Sequence, residues 1–169
     1  MVATLQRARR HAGTAMARAA GAAGLVLLSL LGLNVGSRLF DLNLAWIAET
    51  ARIVFMWGMG FGMIAVSLFG LHFRVDLANL SAEQNAEPTD LWEIAVQMLA
   101  CAVLAYVLYF AIPSIARAAT QVFASVPLSY GTMRLALVVG IGGMLVAHLW
   151  RVLEIVLTHV RPAPANAPE

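Results

Sequence analysis

The sequence predicts an all-α integral membrane protein with four transmembrane helices, short loops, amphipathic N- and C-terminal extensions and both termini cytoplasmic. Three observations predict it. Of its 169 residues 61% are hydrophobic and only 12% charged, whereas soluble domains carry about 25% charged residues. A chain of this length cannot hide that much apolar surface in one core, so lipid must solvate much of it. Uncharged runs of 16 to 19 residues recur along it; as helices rising ~1.5 Å per residue, they approach the ~30 Å of a hydrocarbon core. The basic residues, 11 Arg and no Lys, are unevenly placed around these runs.

Taken in order, residues 1–19 are rich in Arg and Ala and contain no acid, which makes them a cytoplasmic basic segment. A membrane domain over 20–160 follows. Its first span is expected at about 21–40. A basic start before an apolar segment also describes a signal peptide, but this apolar stretch is long and lacks a following small-x-small cleavage site. A retained signal anchor is the expectation.

Span two is expected at about 46–71, with 19 uncharged residues from Ile53 to Leu71. Glu49 and Arg52 precede this run, and His72-x-Arg74-x-Asp76 follows it. Residues 77–90 form a cytoplasmic link in which Pro88-Thr89-Asp90 offers a helix start. Span three, about 91–112, again has 19 uncharged residues, Ile94 to Ile112, and Pro113 is expected to close it. Residues 114–126 place Ile115, Ala118, Ala119 and Val122 on one helical face, the pattern of a short helix on the outer surface. Span four is expected at about 130–150 and continues as an amphipathic helix to about 160, with Arg151, Glu154, Thr158 and Arg161 opposite Leu153, Val156 and Val160. Residues 161–169 read as a disordered tail. There is no internal repeat.

Orientation follows from the arginines. With both termini inside, the interior holds Arg7, Arg9, Arg10, Arg18, Arg74, Arg151 and Arg161, and the exterior only Arg38, Arg52, Arg117 and Arg134. Trp46, Tyr106, Tyr109 and Tyr130 then fall near the outer interface, and Trp92 and Trp150 near the inner one, as an aromatic belt requires.

The only basic cluster, Arg7, Arg9 and Arg10, is too small for a nucleic-acid footprint and reads as a topology signal beside anionic lipid. Cys101, the single cysteine, reads as a small packing residue. Small residues four apart occur as Gly32-x-x-x-Gly36 and Gly58-x-x-x-Gly62, and span four adds Gly140, Gly142, Gly143 and Ala147. Such positions let helix backbones approach closely, either within the four-helix unit or against a partner; the spacing does not distinguish the two. Glu49 and Arg52, three apart, can pair on one helix face for about 0.2–0.5 kcal/mol if exposed. Below the headgroups they would need a further partner, which makes them interface candidates.

His72 and Asp76 have neither the spacing nor the number for a metal site. His72 and His148 at the inner ends of two spans could ligate a haem iron axially, so a haem-binding electron carrier is the alternative reading. Other chemistry has no residues to carry it. No carboxylate lies inside a span, no Pro interrupts one, and neither a phosphate-binding loop nor a catalytic triad is present, so no enzyme activity, cofactor or metal is expected. A transporter working alone would need a midplane site built from broken helices and repeats. The chain reads as a membrane component that requires a partner.

Within that reading, several residues carry a family likeness. An acid and Arg52 before span two, Trp57 followed by glycines within it, and Gly70-x-His72-x-x-Val75-Asp76 at its exit resemble the small permease (DctQ-type) subunit of tripartite ATP-independent periplasmic (TRAP) transporters. So does Pro127-Leu128-Ser129-Tyr130 before span four. The likeness covers about residues 20–157; it departs at Phe73, where the family is commonly aliphatic, and at Gly131-Thr132-Met133-Arg134, which lacks a second Pro. The resemblance implies a rigid scaffold for a large multi-span permease that holds the substrate and sodium sites. A periplasmic substrate-binding protein would deliver an organic acid, such as a dicarboxylate or sugar acid, at a bacterial inner membrane. On this reading Gly32, Gly36, Glu49, Arg52, Trp57, Gly58, Gly62, His72 and Asp76 are the candidate partner interface, with membrane lipids as the other neighbours.

Overall fold

The computed structural model describes residues 2–42, 44–70 and 90–159. They form four helices: α1 (Val2–Leu39), α2 (Ala45–Phe69), α3 (Asp90–Ala119) and α4 (Gly131–His159). All four contain stretches long and apolar enough to cross a membrane: Gln6–Leu39, Ala45–Phe69, Ile94–Ala119 and Gly131–Leu157. His72, Arg74, Asp76, the link before Asp90, Arg161 and the tail expected to be disordered lie outside the described residues.

Helix α1 joins the basic segment to the first span without a break. Its 38 residues reach about 57 Å at ~1.5 Å each, nearly twice a hydrocarbon core. Ala and Arg are both good helix formers, so the Arg/Ala-rich part has no local reason to stop. The stop comes at Leu39, where Asp41 turns left-handed at φ 52°. The Leu42 N–H then donates to the Ser37 carbonyl at 2.8 Å and the Asp41 N–H to the Arg38 carbonyl at 3.4 Å. This is a Schellman ending, with Asp in the place glycine usually takes. Helix α2 ends in the usual way, with Gly70 at φ 69° and its N–H directed to the Ser67 and Val66 carbonyls.

Two expectations fail at the far end of α3. Pro113 does not close the helix but lies inside it, and α3 runs on to Ala119. The missing N–H deprives the Tyr109 carbonyl of its helical donor, a loss that membrane helices tolerate. The hydroxyl of the next residue, Ser114, turns back onto its own helix and donates to the Ala111 carbonyl at 2.6 Å.

The surface helix expected over 114–126 is also replaced. Beyond Ala119 the chain forms a narrow turn in which Val122 bridges Ser129. The Phe123 N–H donates to the Leu128 carbonyl at 3.0 Å and the Tyr130 N–H to the Gln121 carbonyl at 2.9 Å. Burial decides the outcome: Phe123 is only 4% exposed and stacks on Tyr130 with ring centroids 4.1 Å apart. Pro127 completes the reversal by sitting at the centre of a three-residue turn, Leu128 N–H to the Val126 carbonyl at 2.7 Å.

The four helices do not close into a bundle. Helix α1 packs on α2, α2 on α4 and α4 on α3; α1 meets α4 only briefly, and α3 touches neither α1 nor α2 among the described residues. The result is an open row, α1–α2–α4–α3, with α1 and α3 at its edges. Small residues set two of the three helix–helix contacts, α2–α4 and α1–α2. A Cβ on Gly60 would lie 2.9 Å from the Ala136 carbonyl oxygen, and one on Gly140 would lie 2.9 Å from the Gly60 Cα. Helices α2 and α4 therefore run parallel in near backbone contact, where dispersion is the main attraction. On the other side of α2, Gly58 faces Ala23 and Gly62 faces Ala20, so α1 and α2 run antiparallel.

Candidate functional site

The carboxylates that join elements, Glu49 and Glu154, fall at opposite ends of the helices. At one end, Glu49 in the second turn of α2 reaches the α3–α4 turn. Its Oε1 accepts from the Ala124 N–H at 3.1 Å and its Oε2 from the Ser125 N–H at 2.9 Å. These are charge-assisted bonds to two successive amides, a stronger arrangement than a neutral pair. The expected partner Arg52 makes no ion pair with Glu49. It is exposed instead, beside Leu27, Leu31, Asn34 and Phe55 at a notch between α1 and α2. Trp57, further along α2, is half-buried with its ring tilted against Phe61, centroids 5.8 Å apart.

The opposite end holds a buried carboxylate. Glu154 is 3% exposed, with Arg9 Nε 3.5 Å from Oε1 and Arg151 Nη1 3.7 Å from Oε2. The sequence placed Glu154 on a polar face with Arg151; the structure turns it inward because α1 extends far enough to bring Arg9 alongside. One turn further along α1, Gly13 packs against Leu68 and the Phe69 ring. The N-terminal part of α1 is thus seated on both α2 and α4.

Between the ends, His148 Nδ1 on α4 meets Gln97 Oε1 on α3 at hydrogen-bond distance. This polar contact joins the edge helix α3 to the rest, alongside the apolar packing of Cys101. No cluster of three or more metal-ligating side chains occurs among the described residues, and nothing supports the haem reading for His148.

The sequence-selected glycines divide sharply. Gly58 and Gly62 lie against α1, whereas a Cβ on Gly32 or Gly36 would meet nothing within 4 Å. The latter two belong to a largely exposed stretch of α1 with Leu28, Leu31, Leu33 and Val35. His72 and Asp76 lie outside the described residues. What the sequence reading missed was Glu154 with Arg9, and the amides of Ala124 and Ser125. One signal was available: Glu154 is the only acid between Glu93 and Glu169, standing alone in an apolar segment.

This is an open row of spanning helices in which Glu49, Glu154 and the Gln97–His148 pair are spent on holding the row together. The family model described as "Tripartite ATP-independent periplasmic transporters, DctQ component" matches residues 13–158. The chain belongs to the DctQ family. No curated protein and no solved structure matches it. DctQ proteins are the small permease component of a tripartite system that also contains a large permease and a binding protein. They are transporter components and not an enzyme family. Within this DctQ chain the match takes in all four spans and Glu154 and begins four residues after Arg9.

Proposed function

We propose that this DctQ protein is the scaffold of a sodium-coupled TRAP transporter in a bacterial inner membrane. It holds the large permease in place while a periplasmic binding protein delivers an organic acid. In this arrangement both termini are cytoplasmic, so Glu49 and the α3–α4 turn face the periplasm and Glu154 the cytoplasm.

The observation that carries the reading is the open row. Helix α1 packs on a single neighbour along most of its length and leaves Gly32, Gly36 and the flanking leucines uncovered. A small-residue stripe in a spanning helix suits close approach by another helix. The polar contacts support a static role as well. Among the described residues the one buried carboxylate is held between two arginines at one end of the helices. None is left free at mid-membrane to accompany a solute or a sodium ion.

Uptake in cells tests the reading. Radiolabelled organic-acid uptake should require this chain, its large permease and its binding protein together. Proteoliposomes containing this chain alone should move nothing. Transport by the chain alone would overturn the scaffold role.

A further inference from the structure

At the same end of the helices as Glu49, two arginines converge on a groove that the scaffold reading does not use. Ser114, Arg117, Ala118, Gln121 and Arg134 line an open cleft between the last turn of α3 and the first turn of α4. No ion pair or side-chain hydrogen bond among the described residues engages either guanidinium. None of the lining residues is acidic. The nearby carboxylate of Glu49 is already committed to the Ala124 and Ser125 amides.

The cleft is therefore a concentration of positive charge without an internal counter-charge. Arg134 adds to it by standing in the first turn of α4, where the helix dipole disfavours a cation. Its level in the membrane indicates what offsets the charge. Arg117 stands in the last turn of α3, directly after the uncharged stretch that ends at Ala116, and Arg134 directly precedes the run beginning at Leu135. Both guanidinium groups belong at the depth of lipid headgroups. Guanidinium forks match phosphate oxygens in geometry as well as charge.

We propose that this cleft binds the phosphate of a phospholipid headgroup, with Arg117 and Arg134 as the charged ligands and the Gln121 amide as a hydrogen-bond donor, while Ser114, whose hydroxyl is committed to the Ala111 carbonyl, only lines the wall. The lipid would tie the end of α3, which among the described helices packs on α4 alone, to the start of α4. This inference rests on the membrane-spanning helices and not on the scaffold role, so it stands or falls separately.

The test is native mass spectrometry of the full chain in mild detergent, titrated with phosphatidylglycerol. The apparent affinity for the first lipid should fall roughly tenfold in R117Q/R134Q, each guanidinium supplying charge-assisted bonds. Arg38→Gln, which removes an exposed arginine outside the cleft, should leave it unchanged. Circular dichroism should show equal helix content in all three; if the double variant loses helix, Arg117→Gln and Arg134→Gln are read singly for the same loss. A parallel arm adds inorganic phosphate. Failure of millimolar phosphate to displace the lipid supports a headgroup site, and ready displacement overturns it in favour of the free anion. Equal lipid affinity in the double variant and the wild type would also overturn the proposal. So would a double variant that keeps its lipid but no longer binds the periplasmic protein, because the cleft would then read a protein carboxylate.

Discussion

Arg9 Nε lies 3.5 Å from the buried Oε1 of Glu154, joining the basic start of the chain to the last turns of its final helix. The contact explains why α1 is one long helix seated on α4. It also places a charge pair where removal of one partner leaves the other poorly compensated. Glu154→Ala should destabilise the protein by about 3 kcal/mol, within the usual cost of breaking a buried ion pair. Arg151→Ala should cost less, because Arg151 is more exposed than Arg9 and Arg9 remains on the carboxylate. Thermal unfolding in detergent measures both, and the reverse order would remove Arg9 from its assigned place.

The Glu49 carboxylate should order the α3–α4 turn. Glu49→Ala removes two charge-assisted bonds, and hydrogen exchange at the Ala124 and Ser125 amides should accelerate by roughly tenfold or more. Exchange at α2–α4 contact positions such as Gly140 should change little. Uniform acceleration across both regions would mean that Glu49 supports the whole row.

The glycines separate internal packing from a docking face. Gly60→Val places a side chain on the Ala136 carbonyl, and Gly140→Val places one on Gly60. Either should cost about 1–3 kcal/mol or rearrange the crossing, as overpacking does. Gly32→Val and Gly36→Val enter open space and should leave the isolated chain folded while reducing recovery of the large permease. Circular dichroism with co-purification distinguishes these effects. Full recovery with both outer variants would remove α1 from the interface.

Arg52 is exposed at the notch between α1 and α2 rather than paired with Glu49. Arg52→Ala should lower complex assembly or uptake several-fold, and more than Arg161→Ala does. Equal effects in an uptake assay would return Arg52 to contact with headgroups alone.

The number and type of helices were legible because 19-residue uncharged runs such as Ile53–Leu71 have few other solutions. Local rules also marked the right residues for the wrong neighbours. Spacing paired Glu49 with Arg52, three positions away, but the carboxylate meets amides 75 and 76 positions on. Helical periodicity put Glu154 on an outer polar face, since nothing local reveals that α1 extends back to bring Arg9 alongside. Pro113 looked like a terminator because proline breaks soluble helices, whereas a membrane span can carry it. Spacing likewise singled out both glycine pairs, yet only the packed helices show that Gly58 and Gly62 serve α1 while Gly32 and Gly36 are uncovered.

The central claim is that this open row is one part of a larger membrane complex. Affinity purification of the tagged chain from its native membranes in mild detergent tests it most directly, with the recovered proteins counted by mass spectrometry. A multi-span permease recovered in one-to-one proportion is the predicted result. A chain that elutes alone from membranes containing that permease would contradict the account.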